Sequence, residues 1–173
     1  MFATIYLPNF YLQAAIRHQP QLQSKSVALI DDQEAKALII QLNQTAQDAG
    51  VRVGMAPSQG LARSLYLVVK TRDRAQEKLL NAILLDFAFT LAPYVEATAP
   101  GTCTVQFTDA RNLETKLLRV IEQLAQLELT ARAGIALTPD ASSLAAHLAK
   151  PVLLVEDAKN FFAPLPIETL AMR

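Results

Sequence analysis

Few side chains in this sequence have the chemistry of an active centre, and their spacing limits what they could do. One cysteine, Cys103, and two histidines, His18 and His147, cannot make a standard zinc site unaided. No histidine lies near Cys103 in sequence, so a Cys–His nucleophile is not indicated, and Cys103 reads as buried strand filler. His18 and His147 read as a helix-end and a helix-face side chain. Carboxylates open a different chemistry. Acids on adjacent strands can hold two divalent ions about 4 Å apart, which clamp the attacking and leaving oxygens of a nucleotidyl transfer. Magnesium in such a site requires oxygen ligands, mainly carboxylate.

The candidate acids are Asp31, Asp32, Glu96 and Asp109. Asp31 and Asp32 fall at a hairpin turn, where solvent is expected to surround them. Glu96 stands alone, and one carboxylate cannot hold two divalent ions. Asp109 ends a strand and is placed to cap the next helix. Between Glu96 and Asp109 the stretch "EATAPGTCTVQF" (96–107) reads as strand, tight turn and strand, and it is bare of further acids. Among the bases, Arg52, Arg63, Lys70, Arg72, Arg74 and Lys150 could touch phosphates, and the cluster from 63 to 74 is the densest local patch. Salt-dependent nucleic-acid binding needs several such contacts at once.

The elements that must position these residues follow from pattern. "FATIYL" (2–7) is a β-rich run ended by Pro8, and Asn9 can cap the helix "FYLQAAIRH". "SVALIDD" (26–32) and "AKALIIQLN" (35–43) predict a hairpin. "QTAQDAG" is a short helix closed by Gly50, and Pro57 suits the first turn of "PSQGLARS". "LYLVVK" (65–70) is a strand. Residues 73–91 carry Leu79, Leu80, Ile83, Leu84, Phe87 and Leu91 at helical spacing, and 112–129 repeat that pattern. "ARAGIALT" predicts a strand, "PDASSLAAHLA" a helix begun by Pro139, and "PVLLVED" a last strand before a proline-punctuated tail. Hairpins alternating with long helices predict an α+β fold, with the helices packed on a largely antiparallel sheet. The segment 94–138 reads ββαβ, and with the first strand and helix it gives a ferredoxin-like split βαβ.

Composition bounds the rest. The 173 residues are 51% hydrophobic and 18% charged, which is a globular balance. With 16 basic and 16 acidic residues, no global field steers the chain to nucleic acid or membrane. A single cysteine excludes an internal disulfide and fits a reducing compartment. The longest apolar run, "LLNAILLDFAFTLA", is broken by Asp86 and is too short to span a bilayer. No basic segment precedes an apolar one at the N-terminus, as a signal peptide would require. The expectation is a soluble, cytoplasmic protein.

Several stretches resemble one family. "YLPNFYLQAAIRHQPQLQSKSVALID" resembles the opening of Y-family DNA polymerases, and "AGVRVGMAPSQGLARSLYLVV" is similar to their fingers region. "YVEATAPGTCTVQF" sits where that family has a paired Asp-Glu hairpin. "GIALTPDASSLAAHLAKP" and "FFAPLPIETLA" resemble its later palm segment and its thumb entry. The likeness covers residues 2 to 170. It implies a palm subdomain over 1–10 and 72–165, a small α/β fingers subdomain over 11–71, and the start of a truncated thumb or tail over 166–173, with thumb and little finger absent.

The resemblance also implies site positions, and this chain departs from the family at them. The strand acid falls at Tyr6 and the Asp-Glu pair at Gly101 and Thr102. The Tyr and Arg that hold a triphosphate fall at Gln44 and Gln47. The palm Asn-Lys falls near Pro139 and Asp140, while Lys150 keeps the lysine before the final proline. Neutral residues at all three metal-ligand positions imply no paired divalent site, no cofactor and no enzyme. The pattern is similar to the ImuB-type, catalytically inactive branch. That implies an adaptor in bacterial translesion DNA synthesis and SOS mutagenesis. Its partners would be a mutagenic replicative-type polymerase, a RecA-like accessory protein and the sliding clamp. Weak DNA contacts would fall to Arg63, Lys70, Arg72, Arg74 and Lys150. Two other readings stay open: a nucleotidyltransferase with unusual metal ligands, and an unrelated ferredoxin-like binding or regulatory domain.

Overall fold

The structure, a computed structural model, describes residues 1–34 and 36–167. The chain divides into two compact units, one of Met1–Pro8 with the chain from Leu80 onward, the other of Asn9–Leu79. The expected thumb start at 166–173 falls, from 168 on, outside the described residues.

The first unit is built on a five-stranded sheet. Its strands are β1 (Phe2–Tyr6), β5 (Tyr94–Ala99), β6 (Thr102–Gln106), β7 (Arg132–Ala136) and β8 (Val152–Leu154), in the spatial order β5-β6-β1-β7-β8. Only the β7–β8 pair is parallel. Without β8, the order is that of a ferredoxin-like split βαβ, as the pattern of hairpins and helices predicts. Alternation sorts β1 into two faces. Ala3 and Ile5 are wholly buried and pair with Val105 and Cys103 on β6 and with Ile135 and Ala133 on β7. Helices α4 (Arg74–Leu91) and α5 (Leu113–Gln126) add Leu80, Leu84, Leu117 and Leu124 to this unit's core. Burying each such leucine contributes roughly 1.5–3 kcal/mol.

Thr4 and Tyr6 face the other way, toward α6 (Pro139–Leu148). Pro139 starts that helix, and the Thr138 hydroxyl caps it by accepting from the Ala141 N–H. The helix can approach because β7 carries Gly134 opposite Thr4. A Cβ on Gly134 would lie 2.2 Å from the Ala146 nitrogen and 2.3 Å from the Ser142 carbonyl oxygen. The small residues Ala141, Ser142, Ala145 and Ala146 complete the close fit. A short α7 (Ala158–Phe162), capped by the Asp157 side chain, runs into the start of the proline-punctuated tail and is not among the predicted elements.

The second unit holds a three-stranded sheet of β2 (Val27–Ile30), β3 (Ile39–Leu42) and β4 (Val68–Thr71), ordered β3-β2-β4. The β2–β3 hairpin is antiparallel, as expected, and β4 joins β2 in parallel. Helix α1 (Phe10–Ile16) packs Leu12 and Ala15 against Leu22, Val27 and Leu29. Across the sheet, Ala28, Ile39, Ala46, Val51 and Leu67 form a second cluster with α2 (Gln44–Asp48), near α3 (Pro57–Arg63). Asn9 differs from expectation: it lies in the left-handed region at φ 50 with no side-chain cap bond, and its amide reaches the Leu42 carbonyl instead. The cap that does form is Asn43, whose side-chain oxygen accepts from Ala46 and Val27 while its amide donates to Lys25.

Candidate functional site

The central strand β1 ends at the hairpin, and this brings three of the sequence-derived positions together. Tyr6 pairs across the sheet with Thr102, and the next amide, Leu7, donates to the Gly101 carbonyl at 2.8 Å. Gly101 has φ 72, which the turn after Pro100 requires and which favours glycine. The turn is held from α4: Asn81 Oδ1 accepts the Gly101 N–H at 2.8 Å.

Tyr6 does not stand alone on its face. Its ring stacks on His147 of α6 with centroids 4.1 Å apart and planes at 28°. The His147 Nδ1–H donates to the Ser143 carbonyl at 2.9 Å. Arg132 pairs with Tyr6 from β7, and its guanidinium reaches the His147 carbonyl at 3.3 Å. Burial pushes the Tyr6 phenol above its ordinary value, against the opposing pull of Arg132.

One row further along lies a buried hydroxyl chain. Ser142 Oγ donates to the Pro139 carbonyl at 2.8 Å, so its one hydrogen is used. Thr4 Oγ1 therefore donates to Ser142 at 2.8 Å, and Thr104 Oγ1 donates to Thr4 at 3.0 Å. Glu96 continues this row on β5, where it pairs with Thr104 and is exposed. Cys103, on the opposite face of β6, is buried, and its thiol is pushed up to about 12, so it is no nucleophile.

These donors do not fit a pair of divalent ions. The three positions offer a phenol, a glycine and a hydroxyl, and no group of three or more His, Cys, Asp or Glu among the described residues could hold a metal.

Gln44 and Gln47 are both exposed on α2. Gln44 Nε2 donates to Asp48 at 2.7 Å, and the Gln47 carbonyl accepts from Arg52 at 2.6 Å. Arg63 is exposed in the last turn of α3. Lys70 donates to Gln19 Oε1 at 3.1 Å.

Arg72 is the hub of a network. It meets Glu77 through two bonds of 2.8 and 2.6 Å and Asp31 at 2.9 Å, and its guanidinium carbon lies 4.0 Å over the Tyr11 ring. Arg74 meets the same Asp31 at 2.9 Å. Asp31 is thus buried at 7% exposure, not solvated at a turn, because two guanidinium groups and the Gln33 N–H surround it. The Gln33 N–H first, then the two arginines, hold its carboxyl below the usual range. A cleft of about 430 Å³ opens beside Tyr11, Asp31, Lys36 and Arg72. Asp109 does not cap α5: it pairs with the exposed Arg111, and Asn112 occupies the N-cap position. Lys150 is exposed, before a cis bond to Pro151.

The sequence read Tyr6, Gly101 and Thr102 correctly as neighbours but missed His147 and Arg132 beside them. The sequence offers only a tyrosine near the end of the β-rich run 2–7, which does not name its partner.

The sequence matches the impB/mucB/samB family over residues 5–147. The chain belongs to that family. DNA polymerase IV of Pectobacterium atrosepticum is 24% identical over 170 residues, covering 93% of this chain and 48% of that protein. DNA polymerase IV of Pseudomonas paraeruginosa is 27% identical over 179 residues, covering 93% and 49%. Among solved structures, an insertion ternary complex of Dbh DNA polymerase superposes with a TM-score of 0.84 at 14% identity, covering 97% of this chain and 53% of that one. DinB from Sulfolobus solfataricus gives 0.82 at 15%, covering 97% and 52%. The fold is therefore that of a Y-family polymerase palm and fingers, and the chain spans about half the length of the relatives it matches.

The relatives correct one expectation. Neutral residues at Tyr6, Gly101 and Thr102 suggest a chain that is not an enzyme, yet the curated relatives are named DNA polymerase IV. Three positions fix the chemistry of one patch, and half a protein's length does not decide the activity of the whole. Among the described residues no helix is long and apolar enough to cross a membrane.

Proposed function

We propose that this chain supplies the palm (1–10 and 72–165) and fingers (11–71) of an ImuB-type Y-family protein that acts as an adaptor in bacterial translesion DNA synthesis. The observation that carries this reading is the end of β1. Tyr6 lies beside Thr102 and the Gly101 turn and is stacked on His147, so an aromatic packing contact occupies the strand end. Such a patch supports a rigid docking body, with side chains committed to one another. The partners implied are a replicative-type mutagenic polymerase, a RecA-like accessory protein and the sliding clamp, with duplex or primed DNA as a weak ligand.

The test is reconstitution. The full chain is mixed with a purified replicative-type mutagenic polymerase and primed template, and co-elution and lesion bypass by that polymerase are measured. Bypass that rises with the chain present supports the adaptor. The absence of both co-elution and any change in bypass overturns it.

A second reading is template-directed nucleotidyl transfer by the chain's own protein, favoured by relatives named DNA polymerase IV. Primer extension in the absence of any other polymerase decides it.

A further inference from the structure

We propose that the outer edge of β5, with the cleft beside it, docks an extended peptide segment of a partner. That segment carries a basic side chain opposite Glu96 and a large apolar side chain one or three residues away.

Strand β5 ends the sheet and is hydrogen-bonded on one side, to β6. A strand in that position presents a row of backbone N–H and C=O groups to whatever lies outside. Residues 93, 94 and 96–100 are exposed, and no described element of the first unit pairs with this edge. Natural edges are commonly blunted by lysines, by proline within the strand or by charges turned inward. Tyr94–Ala99 has none of these three, and Glu96 is its single charge; the one blunting device it carries is the pairing shift between Ala97 and Ala99, at the end next to the turn, which leaves 94–97 in regular register.

Two features give the edge selectivity. Register and alternation place Glu96 on the face of Thr104 and Thr4, and Val95 on the opposite face with Val105 and Ala3. Where the pairing shifts, between Ala97 and Ala99, a cleft of about 400 Å³ opens. Leu84 and Leu85 of α4 form one wall, and Ala97, Ala99 and Pro100 form another. Its rim is fixed, because Asn81 lines the cleft and binds the Gly101 amide that closes the hairpin. The small side chains of β5 leave the room that a large apolar side chain would fill.

A strand added to this edge alternates its own side chains between the two faces. One parity meets Glu96, where an opposite charge forms a favourable cross-strand pair. The other parity enters the cleft. Main-chain bonds would supply affinity and the two side-chain contacts specificity, as in other strand-addition complexes.

The probe is a set of short random peptides displayed on phage, selected against the full chain and then against Glu96→Lys and Ala97→Phe. Both substituted residues are exposed, and thermal melts confirm that the variants fold. The expected wild-type consensus has Lys or Arg one or three residues from a large apolar residue. Glu96→Lys should exchange that base for an acid and weaken the wild-type peptide about tenfold. Ala97→Phe should fill the cleft and weaken it by a similar factor. Amide exchange on the unmodified chain with the synthetic peptide should slow at 94–97. The proposal is overturned if no peptide is enriched, if binders ignore both substitutions, or if protection appears elsewhere. It is also overturned if 94–97 is protected in the chain alone and exposed on dilution, which assigns the edge to a second copy.

Discussion

The ring of Tyr6 lies flat on the imidazole of His147, 4.1 Å between centroids, at the point where the central strand of the sheet meets the β5–β6 hairpin. Two elements far apart in the chain, β1 and α6, are joined there by an aromatic contact. Burial raises the Tyr6 phenol above its ordinary value. A raised acid contributes stability that is complete below the unfolded value, about pH 10, and is lost as pH rises through the folded one. Spectrophotometric titration of the chain should therefore show a late phenol that Tyr6→Phe removes, and Tyr6→Phe should flatten the alkaline loss of stability. His147→Ala removes the stack and should cost about 1 kcal/mol in urea unfolding. An alkaline limb that is identical in wild type and Tyr6→Phe would refute the assignment.

Gly134 governs how close α6 can come. Its missing Cβ would sit 2.2 to 2.6 Å from backbone atoms of Ser142, Ala145 and Ala146, none of which is a flexible side-chain end. Gly134→Ala must push the helix off the sheet and stretch the Thr4–Ser142 bond. The expected loss is about 3 kcal/mol or more, at the top of the range for overpacking. The comparison variant is Ser142→Ala, which leaves the buried Thr4 hydroxyl without its acceptor and should cost about 1–3 kcal/mol. If Gly134→Ala unfolds at the wild-type urea concentration, the close approach is wrong.

The elements were largely legible in the sequence because their signals are local. Pro57 and Pro139 mark helix starts, Gly50 marks a helix end at φ 86, and the leucine spacing of 73–91 and 112–129 belongs to α4 and α5. Strand β4 was read three residues early, since Leu65 and Tyr66 look like strand but are exposed in the connection before Val68. What stayed hidden is non-local. Asp31 finds Arg72 and Arg74 more than forty residues away, so a "DD" beside a turn looked solvated. The Thr104–Thr4–Ser142 chain joins three elements, and only a lone threonine between Ala3 and Ile5 hinted at it. The placement of Tyr6 beside Gly101 and Thr102 was legible through resemblance, whereas His147 beneath it was not. Three neutral positions do not settle activity, since the relatives are named DNA polymerase IV.

Acid should act on the second unit through Asp31. Its carboxyl titrates below the usual range, chiefly because the Gln33 N–H binds its charged form, with Arg72 and Arg74 adding to the effect. The sign follows: the unfolded carboxyl takes up its proton first, near pH 4, so the contribution is complete above that value and is lost as pH falls through the folded one. Asp31→Asn should lower stability at neutral pH and flatten the decline below about pH 4. Urea midpoints of both chains across that range measure it. A variant that declines as steeply as wild type would remove Asp31 from the acid response.

Salt separates the basic residues that could meet DNA from those already engaged. Arg63 and Lys150 are exposed, whereas Arg72 is held by Glu77, Asp31 and the Tyr11 ring. A cation that neutralises a phosphate releases a counterion, so each such contact contributes about 0.9 to the slope of log affinity against log salt on duplex DNA. Arg63→Gln and Lys150→Gln should therefore each reduce that slope by about 1 while leaving the melting temperature unchanged. Arg72→Gln should leave the slope as it is and lower the melting temperature, because it removes both guanidinium bonds from the buried Glu77 carboxylate and leaves Asp31 to Arg74 and the Gln33 N–H. Fluorescence anisotropy with a primed duplex at several salt concentrations, beside thermal melts, reads both quantities. A slope that falls with Arg72→Gln and holds with Arg63→Gln would reverse the assignment and place the DNA contact at the Arg72 network itself.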